Sequence, residues 1–208
     1  KQVNSYGNDE YTEAARTYIR REIHRDSEVY FLAGGTQTNL AMIAACLRPW
    51  QGVISADIGH IAGHEAGAIE ATGHKVLVLP SKDGKLTAEQ IRWRIEEHWS
   101  DPARTHEVQP GMVYLSQPTE VGTLYSKEEL TAISQVCREN SVFLYIDGAR
   151  LGCALTAKIN DLEIHELAAL TDAFFIGGTK MGGLFGEALV INDPSLSIDF
   201  LYVMKQRG

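Results

Sequence analysis

Two segments of the chain end apolar runs in reactive side chains. Asp172-Ala-Phe-Phe-Ile-Gly-Gly-Thr-Lys180-Met-Gly-Gly reads as a short strand that empties into a glycine-rich turn carrying one amine, and Val142-Phe-Leu-Tyr-Ile-Asp147-Gly-Ala-Arg150 repeats the device with a carboxylate. An amine able to form a Schiff base, together with a carboxylate able to keep a pyridine nitrogen protonated, is the pair that pyridoxal phosphate chemistry requires. A solvated loop lysine is the plain alternative for Lys180, although glycines on both sides allow the backbone to approach a ligand closely. Asp147 needs a partner, because a buried carboxylate without one is costly. Arg150 either supplies that partner or turns into the cleft as a clamp for a substrate carboxylate.

Further candidates follow other apolar runs. Gly34-Gly35-Thr36-Gln37-Thr38-Asn39 opens a helix, and exposed N–H groups at such a start bind anions, with Thr36 and Thr38 as extra donors; a tight turn with a threonine cap is the alternative. The turn matches neither the Walker nor the dinucleotide fingerprint. His60 and His64 stand four apart, a spacing that can hold zinc on one helical face, but no third convergent ligand is evident and no metal is expected. His60 can instead stack on a flat cofactor ring and remain available for proton transfer.

These residues need a frame that gathers strand ends. An amphipathic helix is expected from Asn8-Asp9 through Arg25, then strand Val29–Ala33 and a helix from about Asn39 to Leu47. The alternation continues through strand Gly52–Ala56, helix Ile61–Thr72, strand Lys75–Leu79, helix Thr87–Trp99, strand Met112–Leu115, helix Lys127–Glu139, strand Val142–Ile146, helix Asp161–Leu170, strand Ala173–Ile176 and strand Glu187–Ile191. Strands alternating with helices predict an α/β fold, a mostly parallel seven-stranded sheet sandwiched by helices. The step from Gly182-Gly183 to Glu187 is too short for a crossover helix and predicts one antiparallel strand. Ligands of such sheets sit at the carboxyl ends of the strands, where the candidates fall.

Composition narrows the class of partner. With 208 residues and a formal net charge of −8, the chain fits one domain with little draw toward nucleic-acid phosphates or acidic membranes, and a small metabolite is the expected ligand. Cys46, Cys137 and Cys153 fit neither a disulfide framework nor a metal site, which points to a reducing, cytoplasmic compartment. No apolar run is long enough for a membrane helix. Lys1 in place of an initiator methionine, and an end at Gly208 without a helix stop, fit a portion of a longer polypeptide.

Taken in order, Tyr6-Gly-Asn-Asp9, Gly35-Thr36 with Asn39, His60 followed by Glu65 and Gly67, Asp147-Gly-Ala-Arg150 and Thr179-Lys180 resemble the threonine aldolase and beta-eliminating lyase group of the pyridoxal-phosphate-dependent aspartate aminotransferase superfamily, over essentially the whole chain. The resemblance implies a fold type I large domain binding pyridoxal 5'-phosphate across residues 1–208, with a short N-terminal segment and a C-terminal small domain apparently absent. It implies that Lys180 carries the Schiff base, Asp147 pairs with the pyridine nitrogen, and His60 stacks on the ring. Gly35, Thr36 and Thr179 then bind phosphate, and Arg150 grips the amino-acid carboxylate. Where many members place a histidine after strand Met112–Leu115, this chain reads Ser116-Gln-Pro-Thr119-Glu120-Val-Gly, closer to the low-specificity threonine aldolase and phenylserine aldolase branch. The expected activity is aldol cleavage of a β-hydroxy-α-amino acid to glycine and an aldehyde, with His60 as the candidate for proton transfer and Thr119 as a lesser substrate contact. Elimination or transamination on another amino acid, or a non-catalytic truncated domain, are the alternatives. A homodimer or homotetramer with shared sites is implied as well, so that Lys205 and Arg207 would reach a neighbour's phosphate.

Overall fold

A computed structural model of the chain describes Gln2, Asn4 and residues 7–208. Lys1 and Tyr6 lie outside the described residues. Seven strands, β1 (Glu28–Leu32), β2 (Gln51–Ala56), β3 (Val76–Leu79), β4 (Gln109–Ser116), β5 (Phe143–Asp147), β6 (Ala173–Gly177) and β7 (Glu187–Ile191), form one sheet in the order β1-β7-β6-β5-β4-β2-β3. The pairs β6/β5, β5/β4, β4/β2 and β2/β3 are parallel, whereas β7 runs antiparallel to both β6 and β1. The mostly parallel sheet and its single reversed strand are as the sequence predicts.

Among the described residues eight α-helices accompany the strands: α1 (Glu10–Glu22), α2 (Gly35–Cys46), α3 (His60–Gly63), α4 (Ala88–Ser100), α5 (Lys127–Glu139), α6 (Leu151–Leu155), α7 (Ile164–Leu170) and α8 (Phe200–Gln206). Their ends are chemically specified. Asp9 caps α1 by accepting from Tyr11 N and Thr12 N, while Thr87 with Gln90 and Ser126 with Glu129 close capping boxes on α4 and α5. Side-chain alternation sends Ile54, Val113, Leu144, Ile146, Phe174 and Val190 into the core beneath α4, α5 and α7, and Val53, Tyr114, Tyr145, Phe175 and Leu189 into the core beneath α2 and α8. Asp147, two residues beyond Tyr145, therefore belongs to the α2 face.

Several boundaries differ from expectation: α1 ends at Glu22 and not Arg25, and β4 begins at Gln109 and not Met112. The helix expected over Ile61–Thr72 is one turn, α3, followed by a bend in which Ala66 and Gly67 take left-handed backbone (φ 52 and 72°), and only Glu70–Thr72 coil again as a 3-10 turn. Tertiary bonding outweighs propensity there, because Glu65 turns inward to His60 and Asn39. Helix α2 begins at Gly35 rather than near Asn39, since its first turn faces a cleft and carries no apolar stripe. Helix α7 starts at Ile164, not Asp161, and α6 and α8 add turns that the sequence pattern did not disclose.

The ends of β5 and β6 are interlocked. Gly177 N donates to Gly148 O at 2.9 Å, and a Cβ on Gly148 would stand 1.9 Å from Phe175 O, one on Gly177 2.3 Å from Ala149 O. Only glycine permits that approach, and it sets the segment bearing Asp147 against the segment bearing Lys180.

Candidate active site

At the carboxyl ends of β4, β5 and β6 a cavity of about 230 Å³ opens against the start of α2. Its walls include Gly35, Thr36, His60, Asp147, Arg150, Thr179 and Lys180, so seven of the eight residues singled out from sequence converge on one space. The eighth, Thr119, is corrected: it is buried away from the cavity, its hydroxyl 2.7 Å from that of Thr123, and the adjacent Glu120 lines the wall in its place.

Asp147 anchors the floor. It is 5% exposed, its Oδ2 accepts from Tyr114 Oη at 2.6 Å and Asn39 Nδ2 at 2.9 Å, and its Oδ1 accepts from Ala149 N at 3.0 Å. Tyr145 donates to Asn39 Oδ1 at 2.9 Å, which leaves the amide nitrogen to face carboxylates. Burial, reinforced by the charge of Asp147, pushes both phenols well above their ordinary range, so each stays a donor. No ion pair joins Arg150 to Asp147 among the described residues; the exposed guanidinium lines the cavity instead.

His60 and Glu65 form the second group. His60 Nδ1 lies 2.8 Å from Glu65 Oε1, which also accepts from Asn39 Nδ2 at 2.8 Å, and Glu65 Oε2 is buried with no partner. The bond to Glu65 raises the imidazole pKa, against a desolvation that acts the other way. His60, Glu65 and Asp147 bring one ligand atom each within 4.8 Å of one another, whereas His64 lies outside the cluster. The Asn39 amide already bridges the two carboxylates with N–H donors.

Lys180 and Thr179 are exposed at the cavity mouth, on the turn between β6 and β7. That turn is tied by Gly178 N, which reaches Gly186 O at 3.0 Å and Glu187 Oε2 at 3.2 Å. Glu187 is buried beside it, and desolvation, with help from Asp147, raises its carboxyl pKa. At the opposite rim Gly34 caps α2 without a side-chain bond, and a Cβ there would meet no protein atom within 4 Å. Gly34 itself lines the cavity. First-turn N–H groups at such a start suit an anion.

Sequence reasoning passed over Tyr114 and Tyr145, which read as core aromatics, and over Glu120 and Glu187. A charged residue heading an otherwise apolar strand was the available signal for Glu187.

The family profile described as "Beta-eliminating lyase" matches residues 2–206. The chain belongs to that family. It is 37% identical over 208 residues to the low specificity L-threonine aldolase of Pseudomonas aeruginosa, covering 98% of this chain and 58% of that protein, and 35% identical, with the same coverage, to that of a Pseudomonas sp.. A solved structure of Leishmania major threonine aldolase superposes with a TM-score of 0.96 at 47% identity, over all of this chain and 60% of that one. The chain thus spans 58% of the length of these two curated relatives.

Proposed function

We propose that this beta-eliminating lyase family chain supplies the pyridoxal phosphate site of an aldehyde-lyase that cleaves a β-hydroxy-α-amino acid, threonine or a close analogue, to glycine and an aldehyde. The carrying observation is that Lys180 and Asp147 wall the same cavity from adjacent strands, with an uncapped helix start opposite them. The names of the Pseudomonas and Leishmania relatives support the substrate class.

When bound, the cofactor supplies an electrophilic carbon for an amine and a ring that stores the electron pair released at Cα. The chain's own residues do the rest. Lys180 Nζ is the amine that would hold the cofactor. Asp147 keeps a proton on the ring nitrogen, and its three donors hold the carboxylate in one orientation. The Gly35 and Thr36 N–H groups, with the Thr36 and Thr179 hydroxyls, take the phosphate. His60, its imidazole steadied by Glu65, would pack against the cofactor, and Arg150 would bind the substrate carboxylate in a fork.

The exposed apolar side chains of Leu184, Phe185, Leu201 and Tyr202 support assembly with a second copy of the chain, which Lys205 and Arg207 would help complete. Free Cys46, Cys137 and Cys153 support a reducing, cytoplasmic setting, and among the described residues no helix is long and apolar enough to cross a membrane.

Two variants of the intact protein test the reading. Lys180→Ala should abolish the visible absorbance of bound cofactor and its fixation by borohydride, and Asp147→Asn should lower turnover on the order of 100-fold while leaving the circular dichroism spectrum unchanged. Cofactor fixation that survives Lys180→Ala rejects the assignment. Ammonia and a keto acid as products, in place of glycine and an aldehyde, would move the activity to elimination or transamination.

A further inference from the structure

Of the four cavity carboxylates, Glu120 and Glu187 have no part in holding the cofactor, and Glu120 is the one bonded to the His60 backbone. It follows β4 in a loop held from both sides: Gln117 exchanges hydrogen bonds with Tyr125 N and O at 2.9 and 3.0 Å, and Thr119 N donates to Thr123 O at 2.9 Å. The carboxylate is itself fixed at one oxygen. Its Oε1 accepts from His60 N at 2.9 Å and from Ser116 Oγ at 2.7 Å. Its Oε2 has no hydrogen-bond partner among the described residues and is not fully buried, and the residue lines the cavity.

A carboxylate anchored at one oxygen and free at the other is poised to accept a proton from a ligand. Asp147 is committed at both oxygens, and Glu65 is buried with its Oε1 shared between His60 and Asn39. His60 is the competing acceptor, but its Nδ1 is already bound to Glu65 Oε1 at 2.8 Å and its imidazole is assigned to the face of the cofactor ring. Glu187 stands across the cavity, on the Lys180 side, engaged with Gly178 N.

We infer that Glu120 is the catalytic base of the cleavage, accepting the substrate's β-hydroxyl proton at Oε2. The inference rests on the function proposed above. In the step, the O–H bond breaks and its proton forms the Oε2–H bond, while the O–H electron pair becomes the second bond of the aldehyde carbonyl as Cα–Cβ opens. The pair released from Cα–Cβ is the one the cofactor stores, and a proton returned to Cα completes glycine, so the overall balance is one proton moved from oxygen to carbon. Ser116, donating to Oε1, is a positioning residue.

Glu120→Gln in the intact, cofactor-loaded protein is the test, because the amide oxygen can still accept from His60 N and Ser116 Oγ. Cofactor uptake by absorbance titration and the melting temperature should match the parent. Solvent-deuterium exchange of the glycine α-proton, which involves no hydroxyl, should remain within about threefold, while aldol cleavage falls about 100-fold. Glu120→Asp, which keeps an acid on a shorter arm, should cleave faster than Glu120→Gln. Cleavage and exchange that fall together, lost cofactor uptake, or undiminished cleavage in Glu120→Gln would each overturn the inference and leave the proposed function standing; a parent protein that takes up no cofactor would reject both.

Discussion

Asn39 donates from Nδ2 to Asp147 Oδ2 at 2.9 Å, joining the first helix after β1 to the end of β5 across most of the site's sequence span. The same nitrogen reaches Glu65 Oε1 at 2.8 Å, so one neutral amide bridges two buried carboxylates. Asn39→Leu would keep the bulk but strip one donor from each acid and the acceptor from Tyr145. Each buried group so abandoned costs roughly 1–3 kcal/mol, and more when charged. Urea denaturation should show a loss of at least about 3 kcal/mol as a lower midpoint at unchanged slope.

Glu65 controls the titration of His60. Since the folded pKa of His60 lies above its unfolded value, the stability gained from this pair is fully present below the unfolded pKa near 6.5 and is lost as pH rises through the folded pKa. Glu65→Gln should move the His60 ring titration, followed by NMR, to lower pH. The stability difference between Glu65→Gln and the parent should correspondingly shift with pH across that window. An unmoved His60 midpoint would contradict the coupling.

Gly148 marks where β5 and β6 cannot be separated by a side chain. In Gly148→Ala the new methyl would stand 1.9 Å from the Phe175 carbonyl oxygen, which is backbone and cannot swing aside. The expected result is a loss of several kcal/mol, about 3 or more, on the scale of severe overpacking and strain. Gly34→Ala, where a Cβ meets nothing within 4 Å, should fold with near-parent stability and weaken phosphate-bearing ligands instead. Parallel melts of the two variants make the comparison.

Much of this arrangement was legible because strand ends announce themselves. Apolar runs that stop at Asp147, or at a glycine turn before Lys180, place those side chains at the same edge of a parallel sheet whatever the helices do. What stayed hidden was set by tertiary bonding. Glu65 follows His60 by a spacing off any helical face, and its inward turn depends on left-handed backbone at Ala66 that no local pattern demands. Tyr114 and Tyr145 carry ordinary strand-core signals, and only the partner of each hydroxyl separates them from packing residues. Thr119 and Glu120 are neighbours in a loop without periodicity, so which one faces the cavity follows from the Thr119–Thr123 bond and from the bonds of Glu120 to His60 N and Ser116 Oγ.

The reversed direction of β7 also bears on how the reactive amine moves. Both feet of the turn that carries Lys180 stand in hydrogen-bonded neighbours of one sheet, and Gly178 ties them to each other. A pull on the nitrogen is therefore shared by two rails and dies out in the framework. The travel left to the amine as ligands exchange is the swing of its own methylene arm, a short tether on a stiff mount.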